Sequence, residues 1–308
     1  MPRRAARTLI ALICFAMGAG DKSPAIELHD AFPDSSSACI MHYAPPANGS
    51  RALKKIVSDW KQNQNQQPRV IGGHKAAISD NPWQVAILAA VVPKNNSAQF
   101  CGGSAISSRW VITAAHCVDD GTKPSDLSIL EGTASLLDTT PRLAVDQVVV
   151  HCEWTAMNHD SDIALLHLSS DLKSTPIVSV GLDEAGLADG VMVRVSGWGL
   201  LSPDEDVRTD DLYAADVPYV LSQTCSQNKS YGPNKVTANM LCAGKEGQDT
   251  CTGDSGGPAT ISINGLRVLV GIASWGDGCG VVDKPGVYTR VSRFRPWVAN
   301  VTNNEVRW

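Results

Sequence analysis

From residue 70 onward the chain is written in short β-forming runs, and this pattern restricts the fold more than any other feature. Apolar and β-branched stretches fall at 84–92, 104–107, 110–113, 127–131, 147–150, 163–168, 191–196, 258–263, 266–273 and 286–291, with turn formers between them at roughly 8 to 15 residue intervals. Helical spacing appears only near the end, where Phe294, Trp297, Val298 and Val301 recur over 292–301 despite Pro296. Such a chain closes its sheets into barrels or stacks them as sandwiches, so an all-β protein ending in a helix is expected.

The amino terminus has a different texture. Arg3, Arg4 and Arg7 precede an apolar run over 9–19 that ends in the small residues Gly18, Ala19 and Gly20. This is the layout of a signal peptide over 1–20, and the run is too short for a span of about 18 or more apolar residues. Export follows, to the outside of the cell or to a bacterial periplasm, with no membrane partner for the mature chain. Export suits the nine cysteines at 14, 39, 101, 117, 152, 225, 242, 251 and 279. An oxidising compartment lets thiols pair, and removing Cys14 with the leader leaves an even number. Neither C-x-x-C nor H-E-x-x-H spacing occurs, so no metal and no cofactor are expected. The formal net charge of -5 and the absence of a basic run give no footprint for nucleic acid.

Residues 21–69 form an irregular segment with a short helical stretch at 50–60, ending in the polar tract Gln62-Asn63-Gln64-Asn65-Gln66-Gln67-Pro68-Arg69. A tract with so little to bury stays solvated, which exposes Arg69 to a protease that cuts after basic residues.

Chemistry concentrates at Gly253-Asp254-Ser255-Gly256-Gly257-Pro258. Glycines on both sides let the backbone take turns closed to other residues, presenting the Ser255 hydroxyl beside bare N–H groups. A serine nucleophile needs a base, and the base needs a group to orient it. Of the seven histidines, His116 alone ends an apolar strand, at Trp110-Val111-Ile112-Thr113-Ala114-Ala115-His116-Cys117; the other six read as surface or satisfied core residues. Asp162 heads the apolar Ile163-Ala164-Leu165-Leu166, where a buried carboxylate must find a donor such as an imidazole N–H. Asp160 lacks an apolar run directly after it and reads as loop surface.

Thr113-Ala114-Ala115-His116-Cys117, Asp162-Ile163-Ala164-Leu165-Leu166, the Ser255 hexapeptide, and Arg69 followed by Val70-Ile71-Gly72-Gly73 together resemble the signatures of the trypsin/chymotrypsin-family serine proteases, in that family's order. The likeness spans 70 to about 297. It implies two six-stranded antiparallel β-barrels with a C-terminal α-helix, the first over about 70–180 and the second over about 181–308, preceded by a propeptide at 21–69. It implies that Ser255 attacks the scissile carbonyl, His116 carries the proton, Asp162 holds the imidazole, and the backbone N–H groups of Gly253 and Ser255 bind the oxyanion. The α-amino group of Val70, freed by cutting after Arg69, pairs with Asp254. Asp249 resembles the carboxylate at the floor of a trypsin-type pocket walled by Gly276 and Gly286, and Ser274-Trp275-Gly276 the substrate-binding strand, which implies cleavage after Arg or Lys.

By the same resemblance Cys101 pairs with Cys117, Cys225 with Cys242 and Cys251 with Cys279, while Val193 and Ile261 replace a bridge common in the family. Cys39 and Cys152 are left either to tether the propeptide or to stand otherwise. Pro285 and the solitary Glu131 give no support for sodium or calcium binding. The implied partners are protein or peptide substrates and protein inhibitors, with the enzyme a monomer. Two alternatives stand beside this reading. An α/β-hydrolase shares Gly-x-Ser-x-Gly, but its histidine follows the serine, and no histidine follows Ser255. A catalytically silent homologue used as a binding module is the other; an intact triad and activation site argue against it.

Overall fold

The computed structural model describes residues 49–61, 73–174, 176, 179–181, 187–199, 209–247 and 254–306. Helix α1 (Arg51–Lys61) comes first, then strands β1 (His74–Lys75) and β2 (Gln84–Ala89), helix α2 (Asn95–Ala98), strands β3 (Gln99–Ala105) and β4 (Trp110–Thr113) and helix α3 (Ala115–Val118). Strands β5 (Leu127–Glu131), β6 (Leu143–Val150), β7 (Ala164–Leu168), β8 (Ser179–Val180), β9 (Met192–Gly197) and β10 (Tyr213–Val220) follow. Helix α4 (Ser222–Cys225), strands β11 (Met240–Ala243), β12 (Pro258–Ile263), β13 (Leu266–Trp275) and β14 (Gly286–Arg290), and helix α5 (Arg295–Val301) complete the order.

The strands make two closed six-stranded antiparallel barrels. The first runs β2-β3-β4-β7-β6-β5, with Ile87 opposite Ile129 and Val111 opposite Leu166. Every residue of β2, β3 and β4 is buried. That explains why Val85-Ala86-Ile87-Leu88-Ala89 reads as an unbroken apolar run instead of the alternation of a half-exposed strand. The second barrel runs β9-β10-β11-β14-β13-β12 and closes because β9 pairs with both β10 and β12. Strand β1 adds to the second barrel beside β10, and β8 lies parallel to β13.

Strands β10 and β11 are absent from the sequence expectation. Strand β10 carries the exposed Asp216 and also Pro218, both poor strand formers, yet it sits between β9 and β11, and pairing overrides its weak propensity. Strand β11 is only four residues long, too short to show a period. Helix α5 is preceded by a 3-10 turn at Val291–Phe294, so the regular helix is shorter than the spacing suggests, with Pro296 tolerated in its first turn.

Cys101–Cys117 ties β3 to α3, and Cys225–Cys242 ties α4 to β11. Cys152 and Cys279 are also disulfide-bonded, with partners outside the described residues. Val193 and Ile261 both lie in the second barrel's core, so the missing bridge is replaced by apolar packing.

Helix α1 packs on the first barrel against α3, α2, β3 and β2. Leu53 and Ile56 are buried, and Ala52 and Val57 flank them on the same stripe. Burial of this kind stabilises by about 1.5–3 kcal/mol per large aliphatic side chain. Ser50 caps the helix: its Oγ accepts from the Leu53 amide at 3.2 Å and donates to the Cys117 carbonyl at 2.6 Å. Residues 49–61 of the 21–69 segment are therefore packed structure, while the polar tract 62–69 lies outside the described residues.

Candidate active site

Strand β4 delivers the chain into α3, and the Cys101–Cys117 bridge fixes that short helix on β3. His116 is thus presented at the barrel rim with its side chain 21% exposed. Its Nδ1 lies 2.7 Å from Asp162 Oδ2, and its backbone amide donates to Asp162 Oδ1 at 2.9 Å. Asp162 is wholly buried, and a third donor, Ser274 Oγ from β13, reaches Oδ2 at 2.5 Å. The Asp162 carbonyl accepts from Thr289 Oγ1 of β14 at 2.7 Å. One aspartate from the first barrel is therefore gripped by two strands of the second.

Burial opposes charge on both partners, yet each stabilises the other's ionised form. Burial pushes the His116 imidazole down, but the charge and hydrogen bond of Asp162, with a smaller contribution from Asp119, hold its pKa above 6.5. Burial likewise pushes Asp162 up, but His116, the Ser274 hydroxyl and the His116 amide hold its carboxyl below the usual range. With Nδ1–H donated to Asp162, the neutral ring keeps its lone pair on Nε2.

Ser255 is strapped to the first barrel by its carbonyl, which accepts from the Gly102 amide at 2.8 Å. The turn after it depends on glycine. Gly256 has φ +78°, and a Cβ there would lie 2.1 Å from Thr113 Oγ1 and 2.6 Å from the Gly102 carbonyl oxygen. The Asp254 carboxylate is buried and accepts from the Gly199 amide at 2.8 Å. It occupies a cradle that side chains at Gly197 and Gly199 would fill, since Cβ atoms there would come within 2.1 and 2.4 Å of its oxygens. Arg69, Val70, Asp249, Cys251 and Gly253 lie outside the described residues, as does Cys39. Gly276, directly after β13, and Gly286, at the start of the adjacent β14, are neighbours, a Cβ on the former lying 3.3 Å from the Gly278 carbonyl oxygen and 4.0 Å from Cα of Gly286.

Several residues near the cluster escape sequence reasoning. His159, read as an ordinary histidine, lies 6.5 Å from the His116 ring, 5.7 Å from Trp154 and stacked 6.3 Å from Trp275. Its Nδ1 is buried without a partner among the described residues, and burial lowers its pKa. Lys235 Nζ sits 5.1 Å from the Trp275 ring centroid, extending this wall. No sequence pattern marks either residue; the barrels' meeting brings them together. Asp160 also needs correction. Its Oδ1 accepts from the Ser161 amide, Thr237 Oγ1 and Asn239 Nδ2, so it braces one barrel against the other instead of lying free on a loop. Glu131 spends its oxygens on the amides of Lys173 and Ser174, at 2.7 and 2.6 Å.

Two closed β-barrels with an imidazole, a buried carboxylate and a glycine-flanked serine at their seam define the serine endopeptidase class. The family model described as Trypsin matches residues 70–298, and the chain belongs to the trypsin family. It is 34% identical to trypsin-3 of Salmo salar over 247 residues, covering 78% of this chain and 95% of that protein. It is 38% identical over 240 residues to transmembrane protease serine 11C of Mus musculus, covering 76% of this chain and 54% of that relative, about half its length. No helix among the described residues is long and apolar enough to cross a membrane.

Proposed function

We propose that this serine endopeptidase is exported as a zymogen, is activated by cleavage after Arg69, and cuts its substrates after Arg or Lys. The observation that carries the reading is the three-fold grip on Asp162 by the His116 imidazole, the His116 amide and Ser274. A carboxylate so held fixes the ring's rotation and tautomer, leaving Nε2 to take the Ser255 proton as Oγ attacks the scissile carbonyl. The imidazolium then forms beside a compensating charge and returns the proton to the leaving amine. Amides of Gly253 and Ser255 receive the oxyanion, each such donor contributing on the order of 10² to 10³ in rate.

Activation is supported by the path of β1. His74 pairs with Ala214, and Ala214 pairs with Ser196, next to the Gly197 and Gly199 cradle around Asp254. A freed Val70 starts four residues before His74, a span of up to about 14 Å. Its ammonium pairs with Asp254 and orders the turn that carries Gly253. Valine in place of the family's usual isoleucine forgoes about 0.8 kcal/mol of burial. The absence of side chains at Gly276 and Gly286 keeps the pocket wall clear for a long guest side chain, and Asp249 at the pocket floor receives its positive end. Protein substrates follow from the family; protein inhibitors and a monomeric enzyme belong to the same proposal.

The test is to cut the precursor after Arg69, label Ser255 with an organophosphate-type reagent, and profile cleavage on a peptide library. Stoichiometric labelling and cleavage after Arg and Lys are expected, and in Asp249→Ser that preference disappears while the fold is kept. Unchanged Arg and Lys kinetics in Asp249→Ser overturn the specificity assignment, and no labelling after the cut overturns the catalytic one.

A further inference from the structure

We propose that residues 49–61 stay docked on the first barrel after the cut at Arg69, so that the mature enzyme is a two-chain protein whose upstream chain buttresses the turn behind His116. The inference rests on the activation reading, because only a cut turns this segment into a separate chain.

The contacts are those of a permanent interface. Ser50 is fully buried, and its hydroxyl bonds the carbonyl of Cys117, the residue next to His116. Its amide donates to Thr122 Oγ1 at 2.8 Å, and Thr122 in turn donates to the Asp119 carbonyl at 2.8 Å. The Gly49 amide donates to the Asp120 carbonyl at 3.0 Å, and Lys54 Nζ reaches the Asp120 carboxylate at 2.7 Å. The upstream segment therefore meets the 117–122 turn at three residues: Cys117 and Thr122 through Ser50, and Asp120 through Gly49 and Lys54. Leu53 and Ile56 join the same continuous core as Val118, Cys101 and Cys117. Removing the segment would expose these apolar groups and leave the Cys117 carbonyl without its hydroxyl partner.

The cut touches none of this. The eight residues 62–69, Gln-Asn-Gln-Asn-Gln-Gln-Pro-Arg, separate the helix from the scissile bond and carry no apolar side chain outside Pro68. Their contour of up to about 27 Å gives slack, so a new terminus at Val70 can move without drawing on the helix. Exposed Cys152 is also disulfide-bonded, to a cysteine outside the described residues. Cys39, in the same upstream segment, is available to it, so the test must separate a covalent tether from the docking.

The experiment uses the full precursor with Cys39→Ser and Cys152→Ser, cut after Arg69, with the new Val70 terminus verified by mass. Gel filtration in native buffer is expected to keep the upstream chain with the protease domain in stoichiometric amount. Adding Leu53→Asp and Ile56→Asp is expected to release it. Separation without those two changes overturns the proposal, as does full retention with them. Hydrogen exchange on the wild-type protein is the second measurement. Amides of 54–61 are expected to keep the same protection before and after the cut, and exchange at free-peptide rates in the cut enzyme overturns the proposal even if the variants fail to fold. Failure to cut at Arg69 counts against the activation reading, and protection of 54–61 in the uncut chain then still reports the docking.

Discussion

His116 shows how a single contact sets both a rate and its pH range. Its pKa lies above 6.5, because the Asp162 charge and hydrogen bond outweigh burial. The base is the neutral form, so activity rises as pH climbs through that raised value, and the acid limb of kcat/KM is expected above 6.5. In Asp162→Asn the charge is gone while burial remains, so the limb moves to lower pH. The rate falls on the order of 10⁴-fold, because the amide selects the wrong tautomer. A pH–rate profile of both proteins checks this, and an unmoved limb would show that Asp162 does not govern the imidazole. Gly256 is a second sensitive position. Gly256→Ala meets left-handed strain and overlap with Thr113 Oγ1 and the Gly102 carbonyl, together costing several kcal/mol at an order-of-magnitude level. A drop in Tm with loss of Ser255 labelling is expected. Adding Thr113→Ala is expected not to restore either, since the backbone carbonyl stays in place.

At the level of elements, legibility followed how much of the signal is local. Strands β2, β4, β5 and β12 were readable because each is an apolar run bounded by turn formers. His116 and Asp162 were readable because each sits at the end or start of such a run. Strand β10 was not, since its Asp216 and Pro218 are tolerated only through pairing partners distant in sequence. Helix α1 was visible as a short helical stretch, but its docking was not, because the face formed by Leu53 and Ile56 has meaning only against α3 and β3. The same holds for Ser274. Its place on the substrate-binding strand was legible by resemblance, but its hydroxyl's bond to Asp162 depends on how β13 of one barrel approaches β7 of the other. Asp160 and His159 were misread for the same reason. A residue's neighbours in the other barrel leave no trace in its own stretch of chain.

The molecule as a whole works by its seam. Ser274 and Thr289 on Asp162, Ser196 Oγ donating to Gln84 Oε1 at 2.7 Å, and the Gly102 amide on Ser255 all cross from one barrel to the other. Any loss of barrel docking therefore dismantles the cluster before either barrel unfolds. Helix α5 is a strap on this seam. It follows the last strand of the second barrel and, with the turn before it, packs Phe294 and Trp297 against His151 of the first, each at 5.0 Å between ring centroids. Burial in that aromatic slot pushes the His151 pKa down to about 4, with Asp160 opposing only in part. The folded state therefore holds His151 neutral, while the unfolded chain protonates near 6.5. The sign follows: this contribution is complete above 6.5 and is lost as pH falls toward about 4, the loss by then being roughly 3 kcal/mol. Burial holds the Asp119 carboxyl above its usual range and so titrates with the opposite sign, which makes the comparison of variants the informative measurement. In His151→Leu the fall in Tm between pH 6.5 and 4 is expected to be shallower than in the wild type, and amides of α5 should no longer lose hydrogen-exchange protection at the acid end of that range. Parallel Tm curves for the two proteins would place the acid lability elsewhere than at the strap.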